Sequence, residues 1–284
     1  MQDLVSTEWL AQKVAAPDLV VLDASSHLPM AGRDARAEFE DGHIPGARFL
    51  DLATLIDAHS DVPAAIPTAE QLAARLGSLG VSNDTRVVLY DDSAVKTSAR
   101  AWFVLRIYGV DVAILDGGLG KWRAEDRPLE SRPVDAAPDN FSASQGTGSV
   151  ASRSDVLANI DTGERLVLDA RDAKRFSGAL PDFRPNVARG HIPGSANLPF
   201  DRVLNKDGTY KTPDELRAIF AEAGVDTRPV TTTCGGGVTA AVLLFALHRP
   251  GREDVALYDG SWGEWGADPA TPKSVTAQPE DTGA

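Results

Sequence analysis

The chain contains one cysteine, Cys234, within the run Pro229 to His248, PVTTTCGGGVTAAVLLFALH. Before it, Val230-Thr231-Thr232-Thr233 is β-branched and suits a buried strand; after it, Val238 to Leu247 suits a buried helix. Between them stand Gly235, Gly236 and Gly237, which weaken either element and are tolerated where backbone must come close to something. A strand feeding such a loop into a helix points several backbone N–H groups, and the positive end of the helix dipole, at one spot. The chemistry this predicts is nucleophilic, with Cys234 a thiolate near neutral pH. A lone cysteine is otherwise an ordinary core residue; the three glycines weigh the reading toward reactivity.

The elements that must position this thiol alternate along the whole chain. A helix spans Ser6 to Val14, with Ser6 as its cap, and Leu19 to Leu22 is a buried strand ending at Asp23-Ala24. Thr68 to Leu79 and Ala99 to Tyr108 read as helices, Arg86 to Tyr90 and Ala113 to Leu115 as strands, and a further helix carries Trp122. Alternating strands and helices predict an α/β fold with a mainly parallel sheet flanked by helices on both faces.

The second half repeats the first. Leu22-Asp23-Ala24 returns as Leu168-Asp169-Ala170, and His43-Ile44-Pro45-Gly46 returns as His191-Ile192-Pro193-Gly194. Asp116-Gly117 and Trp122 return as Asp259-Gly260 and Trp265 at one offset (259 − 116 = 143; 265 − 122 = 143). Two tandem domains are expected, residues 1–127 and 151–284. A Pro, Ser, Ala and Gly-rich linker over 128–150 joins them, and a polar tail follows about residue 267, its end poorly ordered. The offset carries Cys234 onto residue 91 (234 − 143 = 91), which is Asp91. A carboxylate cannot do thiolate chemistry, so the first domain is expected to be catalytically inactive.

Composition excludes other roles. A hydrophobic fraction of 43%, a charged fraction of 24% and no apolar run long enough to cross a bilayer are those of a globular protein, with the cytoplasm as its expected compartment. A single cysteine rules out an internal disulfide. A net charge of −13 argues against nucleic-acid or membrane partners, which need a basic surface.

Taken together, the doubled His-Ile-Pro-Gly, the Cys-Gly-Gly-Gly-Val-Thr-Ala loop at 234–240, and Tyr258-Asp259-Gly260-Ser261-Trp262 with Glu264-Trp265 resemble the tandem-domain rhodanese-type sulfurtransferases, most closely those using 3-mercaptopyruvate. The resemblance implies that Cys234 attacks the sulfur of a small-molecule donor, becomes a persulfide, and passes the outer sulfur to cyanide or to a thiol such as thioredoxin or a small thiol. No cofactor and no metal are implied. The amides of Gly235, Gly236, Gly237, Val238 and Thr239 would hold the persulfide anion. With no second cysteine the acceptor must be external.

Donor choice follows from the same match. Thiosulfate-using members resemble each other in carrying basic side chains directly after the cysteine, where this chain has Gly235 and Gly236. The segment from Asp169 to Arg184 is similar to the substrate segment of the mercaptopyruvate enzymes, and by that match Arg175 and Arg184 would clamp the keto-acid carboxylate, while Arg171 looks more like a structural ion-pair partner. One departure is clear. A hydroxyl two residues after the cysteine has been proposed to join a relay with an Asp and a His, matched here by Asp34 and His43; with Gly236 in that place the relay cannot run through it. His43 and His191 are expected to make structural hydrogen bonds in their turns. A cysteine phosphatase would need an arginine at Ala240, and a purely non-enzymatic sulfur carrier or docking module would have no use for the glycine triplet. A thiosulfate:cyanide sulfurtransferase is the nearest competitor.

Overall fold

A computed structural model describes residues 1–131 and 136–276. The chain divides into two compact units: Met1–Ser60, Ala64–Gly148 and Leu204–Lys211 form the first, and Asp61–Pro63, Ser149–Val203 and the chain from Thr212 onward form the second. The end of the tail predicted to be poorly ordered, 277–284, lies outside the described residues.

In the first unit the elements run β1 (Leu4–Val5), α1 (Thr7–Lys13), β2 (Leu19–Asp23), α2 (Ala35–Asp41), β3 (Arg48–Phe49), α3 (Ala69–Ser78), β4 (Arg86–Tyr90), α4 (Ser98–Ile107), β5 (Asp111–Leu115) and α5 (Gly118–Ala124). The five strands form one parallel sheet in the order β1-β5-β4-β2-β3. The second unit runs β6 (Ser149–Ala151), α6 (Arg153–Thr162), β7 (Leu166–Asp169), α7 (Ala173–Ser177), β8 (Ala196–Asn197), α8 (Pro213–Glu222), β9 (Val230–Thr233), α9 (Val238–His248), β10 (Val255–Tyr258) and α10 (Ser261–Trp265). Its parallel sheet has the equivalent order β6-β10-β9-β7-β8.

Both sheets are covered on two faces, which is why β2, β7, β9 and β10 are buried at every position and read as continuous apolar or β-branched runs. In the first unit Leu19, Val21, Val88 and Tyr90 turn to one face and pack with Leu10 of α1, Phe39 of α2 and Trp122 of α5. The helices start where the sequence places caps: Ser6 accepts the Trp9 N–H, and Thr68 and Gln71 form a capping box. What periodicity did not reveal are the short strands β1, β3, β6 and β8, which carry too few residues for a pattern and exist through their backbone pairing.

The repeat extends past each last helix. Trp122 Nε1 donates to Pro128 O and Trp265 Nε1 to Pro272 O, each at 2.8 Å. The strap that follows each tryptophan then pairs with a His-Ile-Pro-Gly histidine, His43 with Glu130 and His191 with Ser274.

Candidate active site

Register fixes the position of the cysteine. Asp169 pairs with Thr233 as Asp23 pairs with Tyr90, so Cys234 and Asp91 are the first residues beyond equivalent strand ends. Cys234 is buried, and the loop 234–237 carries it straight into α9, where Gly237 turns the chain at φ 77° and no side chain caps the helix. The N–H groups of the first turn, orphaned by helix geometry, are therefore left for something other than a cap. Val230 to Thr233 beneath and α9 behind are buried, so the loop stands on a rigid base.

A residue that the sequence reading passed over holds the loop. Ser261 opens α10, is fully buried, and accepts the Cys234 N–H (3.2 Å) and the Gly237 N–H (3.1 Å) on its Oγ. Its own hydroxyl donates to Tyr258 O (2.8 Å). Of the five amides expected around the sulfur, Gly237 is thus turned to Ser261, because the left-handed turn points its N–H that way. Two backbone bonds complete the lock, Trp262 N–H to Cys234 O and Gly263 N–H to Gly235 O, both 2.9 Å. Ser261 sits at φ 50°, where its counterpart by offset (261 − 143 = 118) is Gly118 at φ 58°. A side chain kept in a region that favours glycine is a strain tolerated for a purpose. The signal was present in the sequence as a serine aligned with a glycine across the repeat.

The first unit shows what a loop at the equivalent register does with negative charge. Asp91 turns its carboxylate into the equivalent loop and accepts the N–H groups of Ser93 and Ser98, both at 2.9 Å, the latter the first residue of α4. The backbone bond is repeated as well, Leu119 N–H to Asp91 O at 3.1 Å. An anion at this position is satisfied by backbone alone. Nearby Asp23 is buried without a cation, and burial pushes its carboxyl up to about 6, against the Ser25 N–H that it accepts at 2.8 Å. Its counterpart Asp169 has a partner, since Arg171 donates to it through Nε and Nη2, at 2.6 Å for the latter. Arg171 also lies 4.6 Å over the Trp262 ring, a structural ion pair as expected.

Arg184 and Arg175 are brought together on one aromatic ring: their Cζ atoms lie 4.4 and 5.4 Å from the centre of Phe183, which is 40% exposed. Arg184 Nη1 donates to Asp182 Oδ1 (3.1 Å), and Arg175 Nε stands 3.4 Å from Asp172 Oδ2. Both arginine side chains remain about a third exposed, at 31% and 32%. Two permanently charged forks at that exposure can take a small carboxylate. Asp182, by contrast, is almost wholly buried, and its Oδ2 has no partner among the described residues; nothing in the sequence marked it.

Asp34 and His43 belong to the first unit and have structural work there. Asp34 caps α2, accepting the N–H groups of Arg36 (3.0 Å) and Ala37 (3.1 Å). His43 is fully buried, stacked on Phe39 with ring centres 4.0 Å apart, and its Nδ1 bonds Phe39 O at 2.7 Å. His191 repeats this with Phe176, at 3.9 and 2.8 Å. Since a carbonyl only accepts, Nδ1 carries the proton in both rings. Among the described residues no cluster of His, Cys, Asp and Glu is placed to hold a metal, and no helix is long and apolar enough to cross a membrane.

Comparison with known proteins gives a consistent pattern. The family model described as a rhodanese-like domain matches twice, at residues 6–125 and 152–268. The 3-mercaptopyruvate sulfurtransferase of Mus musculus is 42% identical over 92% of this chain and 91% of its own length. The thiosulfate sulfurtransferase of Bos taurus is 40% identical over the same shares, 92% and 91%. Among solved structures, SseA from Escherichia coli, described as a 3-mercaptopyruvate sulfotransferase with the rhodanese fold, superposes with a TM-score of 0.83 at 37% identity, covering 92% of this chain and 99% of that one.

Proposed function

The chain belongs to the rhodanese family, with two rhodanese-like domains, and from that premise we propose that it moves sulfur from 3-mercaptopyruvate to an external thiol or cyanide through a Cys234 persulfide. It is a sulfurtransferase, the activity that names its relatives on both donors. The choice between donors is carried by one observation: the residues after Cys234 are glycines without charge, and the positive charge comes from Arg184 and Arg175, arranged around Phe183. A dianion such as thiosulfate would favour cations in the loop itself; a keto-acid monoanion needs its carboxylate held at a distance from the sulfur.

In the first half-reaction the Cys234 thiolate attacks the donor sulfur. The Sγ–S bond forms, the C–S bond breaks, and its electron pair leaves on carbon as the enolate of pyruvate. That enolate takes the proton of the former substrate thiol or one from water, giving pyruvate and a persulfide anion. Backbone N–H groups at the start of α9 are suited to hold that anion, as those of the first unit hold the Asp91 carboxylate. In the second half-reaction an acceptor thiolate attacks the outer sulfur, an S–S bond forms to the acceptor, and the Sγ–S pair returns to Cys234. Cyanide would leave as thiocyanate by the same displacement. A reduced protein dithiol such as thioredoxin suits the acceptor role, because the chain has no second cysteine to resolve the persulfide.

On this reading residues 1–127 are an inactive domain, 128–150 a linker and 151–284 the catalytic domain, and the protein works in the reducing cytoplasm, where a lone thiol stays free. Asp34 and His43 take no proton-relay role, given the bonds that engage them and Gly236 in place of a hydroxyl. The test is kcat/KM for 3-mercaptopyruvate and thiosulfate on one preparation: mercaptopyruvate should lead, and a lead for thiosulfate would overturn the donor assignment.

A further inference from the structure

Three residues without a Cβ surround the Arg184 guanidinium. A Cβ on Gly235 would stand 3.3 Å from Nη1, one on Gly236 3.0 Å from Nη2, and one on Gly263 3.7 Å from Cζ. The walls of this cradle are tied to each other by the Gly263 N–H to Gly235 O bond. Arg184 is held in it by Asp182, whose Oδ1 accepts both its backbone N–H (2.9 Å) and its Nη1 (3.1 Å), and by Phe183, over whose ring it lies. A Cβ at 235 or 236 would crowd the guanidinium closely enough that it would have to shift by a few tenths of an ångström. The glycines therefore do more than let amides converge: they admit a cation from another segment onto the backbone next to the nucleophile.

We propose that Arg184 is the counter-charge of the Cys234 sulfur, stabilising the thiolate before the donor binds and the persulfide after pyruvate leaves. In the interval between, the same guanidinium can turn to the donor carboxylate. The persulfide part rests on the function proposed above; the thiolate part does not. The loop's own side chains supply no charge, and a guanidinium packed on Gly235 and Gly236, the two residues that follow a 2%-exposed cysteine, acts where water screens it less than at an open surface. Several charged groups of the surrounding elements are engaged with other partners. Asp169 and Arg171 pair with each other, Glu264 accepts the Tyr258 hydroxyl at 2.8 Å, and Asp172 faces Arg175. Asp259, at the end of β10, is buried and also has a partner. Asp182 is the direct opponent, a buried carboxylate that offsets part of the arginine's charge.

The experiment is the pH dependence of iodoacetamide alkylation of the full chain, with no donor present. Arg184→Gln should move the profile to higher pH and lower the rate at neutral pH by on the order of tenfold, the effect of one pH unit in thiolate formation. Asp182→Asn should move it the opposite way, a sign that loss of folding cannot imitate. Lys174→Gln, an exposed lysine of the same segment, should leave it in place. Coincident profiles for Arg184→Gln and the unaltered chain would overturn the proposal, as would an equal shift in Lys174→Gln. If the profiles behave as expected while the unaltered chain releases no pyruvate from 3-mercaptopyruvate, the counter-charge stands and the donor assignment falls.

Discussion

Ser261 Oγ lies 3.2 Å from the backbone nitrogen of Cys234 and accepts its N–H, so the hydroxyl of one motif sets the conformation of the other. Replacing it with alanine leaves two buried N–H groups without an acceptor, a loss of about 2–3 kcal/mol in all. Ser261→Gly loses the same bonds but relaxes the strain at φ 50°, and should be the more stable of the two by about 1 kcal/mol. Sulfur transfer should fall roughly tenfold in both, as the loop loosens. Denaturant midpoints and single-turnover rates check this; a glycine variant less stable than the alanine one would mean that the backbone at Ser261 is not strained.

Arg175→Ala should lower kcat/KM for 3-mercaptopyruvate about a hundredfold, ~2.7 kcal/mol, the size of a lost charge-assisted contact. The fold should survive, since the Arg175 side chain is 32% exposed and its ion pair with Asp172 is a surface one. Unchanged kcat and KM would remove Arg175 from the site.

Asp23 gives a pH signature. Its carboxyl is raised from 3.8 to about 6 by burial, so the fold favours the protonated form, and the stability this contributes, full below about pH 4, is lost as pH rises through about 6. At pH 7 the ionised group costs about 3 kcal/mol. Asp23→Asn should therefore stabilise the chain at pH 7, with the gain shrinking toward zero near pH 4. Unfolding midpoints measured at both pH values test it; an equal gain at each would show that ionisation of Asp23 is not the cause.

His43→Ala should cost about 2–4 kcal/mol of stability, through the lost Phe39 stacking and hydrogen bond, while leaving activity per folded molecule unchanged. Asp34→Asn should change neither, because asparagine caps a helix as well as aspartate does. Pyruvate release assayed well below the unfolding temperature is the readout. A large loss of rate in either variant without loss of stability would return these residues to the proton-transfer step.

What the sequence disclosed, it disclosed locally. The strand, glycine loop and helix around Cys234 could be read because each is marked by residues adjacent in the chain, and the tandem repeat because the same short motifs recur in the same order in both halves. The buried strands β2 and β9 were legible as continuous runs. Ser261 lies within a legible motif and aligns with Gly118 across the repeat, but its bonds to the cysteine loop depend on where α10 begins relative to that loop, which the alignment alone does not give. The cradle around Arg184 combines Gly235 and Gly236 with Gly263 from another element, and Asp182 gave no signal because its burial comes from packing alone.

Asp91, whose carboxylate accepts two backbone N–H groups in the first unit, has a consequence for the lifetime of the catalyst. A cysteine carried two oxidation steps, to sulfinate, presents the same single negative charge on a pair of oxygens as aspartate does. The first unit holds such a group at the equivalent register by backbone N–H groups, a precedent within this fold for a sulfinate on Cys234. Protection is then expected to be kinetic, with the sulfur occupied by cargo more often than it meets an oxidant. Intact-mass measurement after peroxide exposure should show sulfinate accumulating in the idle protein and suppressed by prior loading with 3-mercaptopyruvate, and equal oxidation in both would refute that shielding.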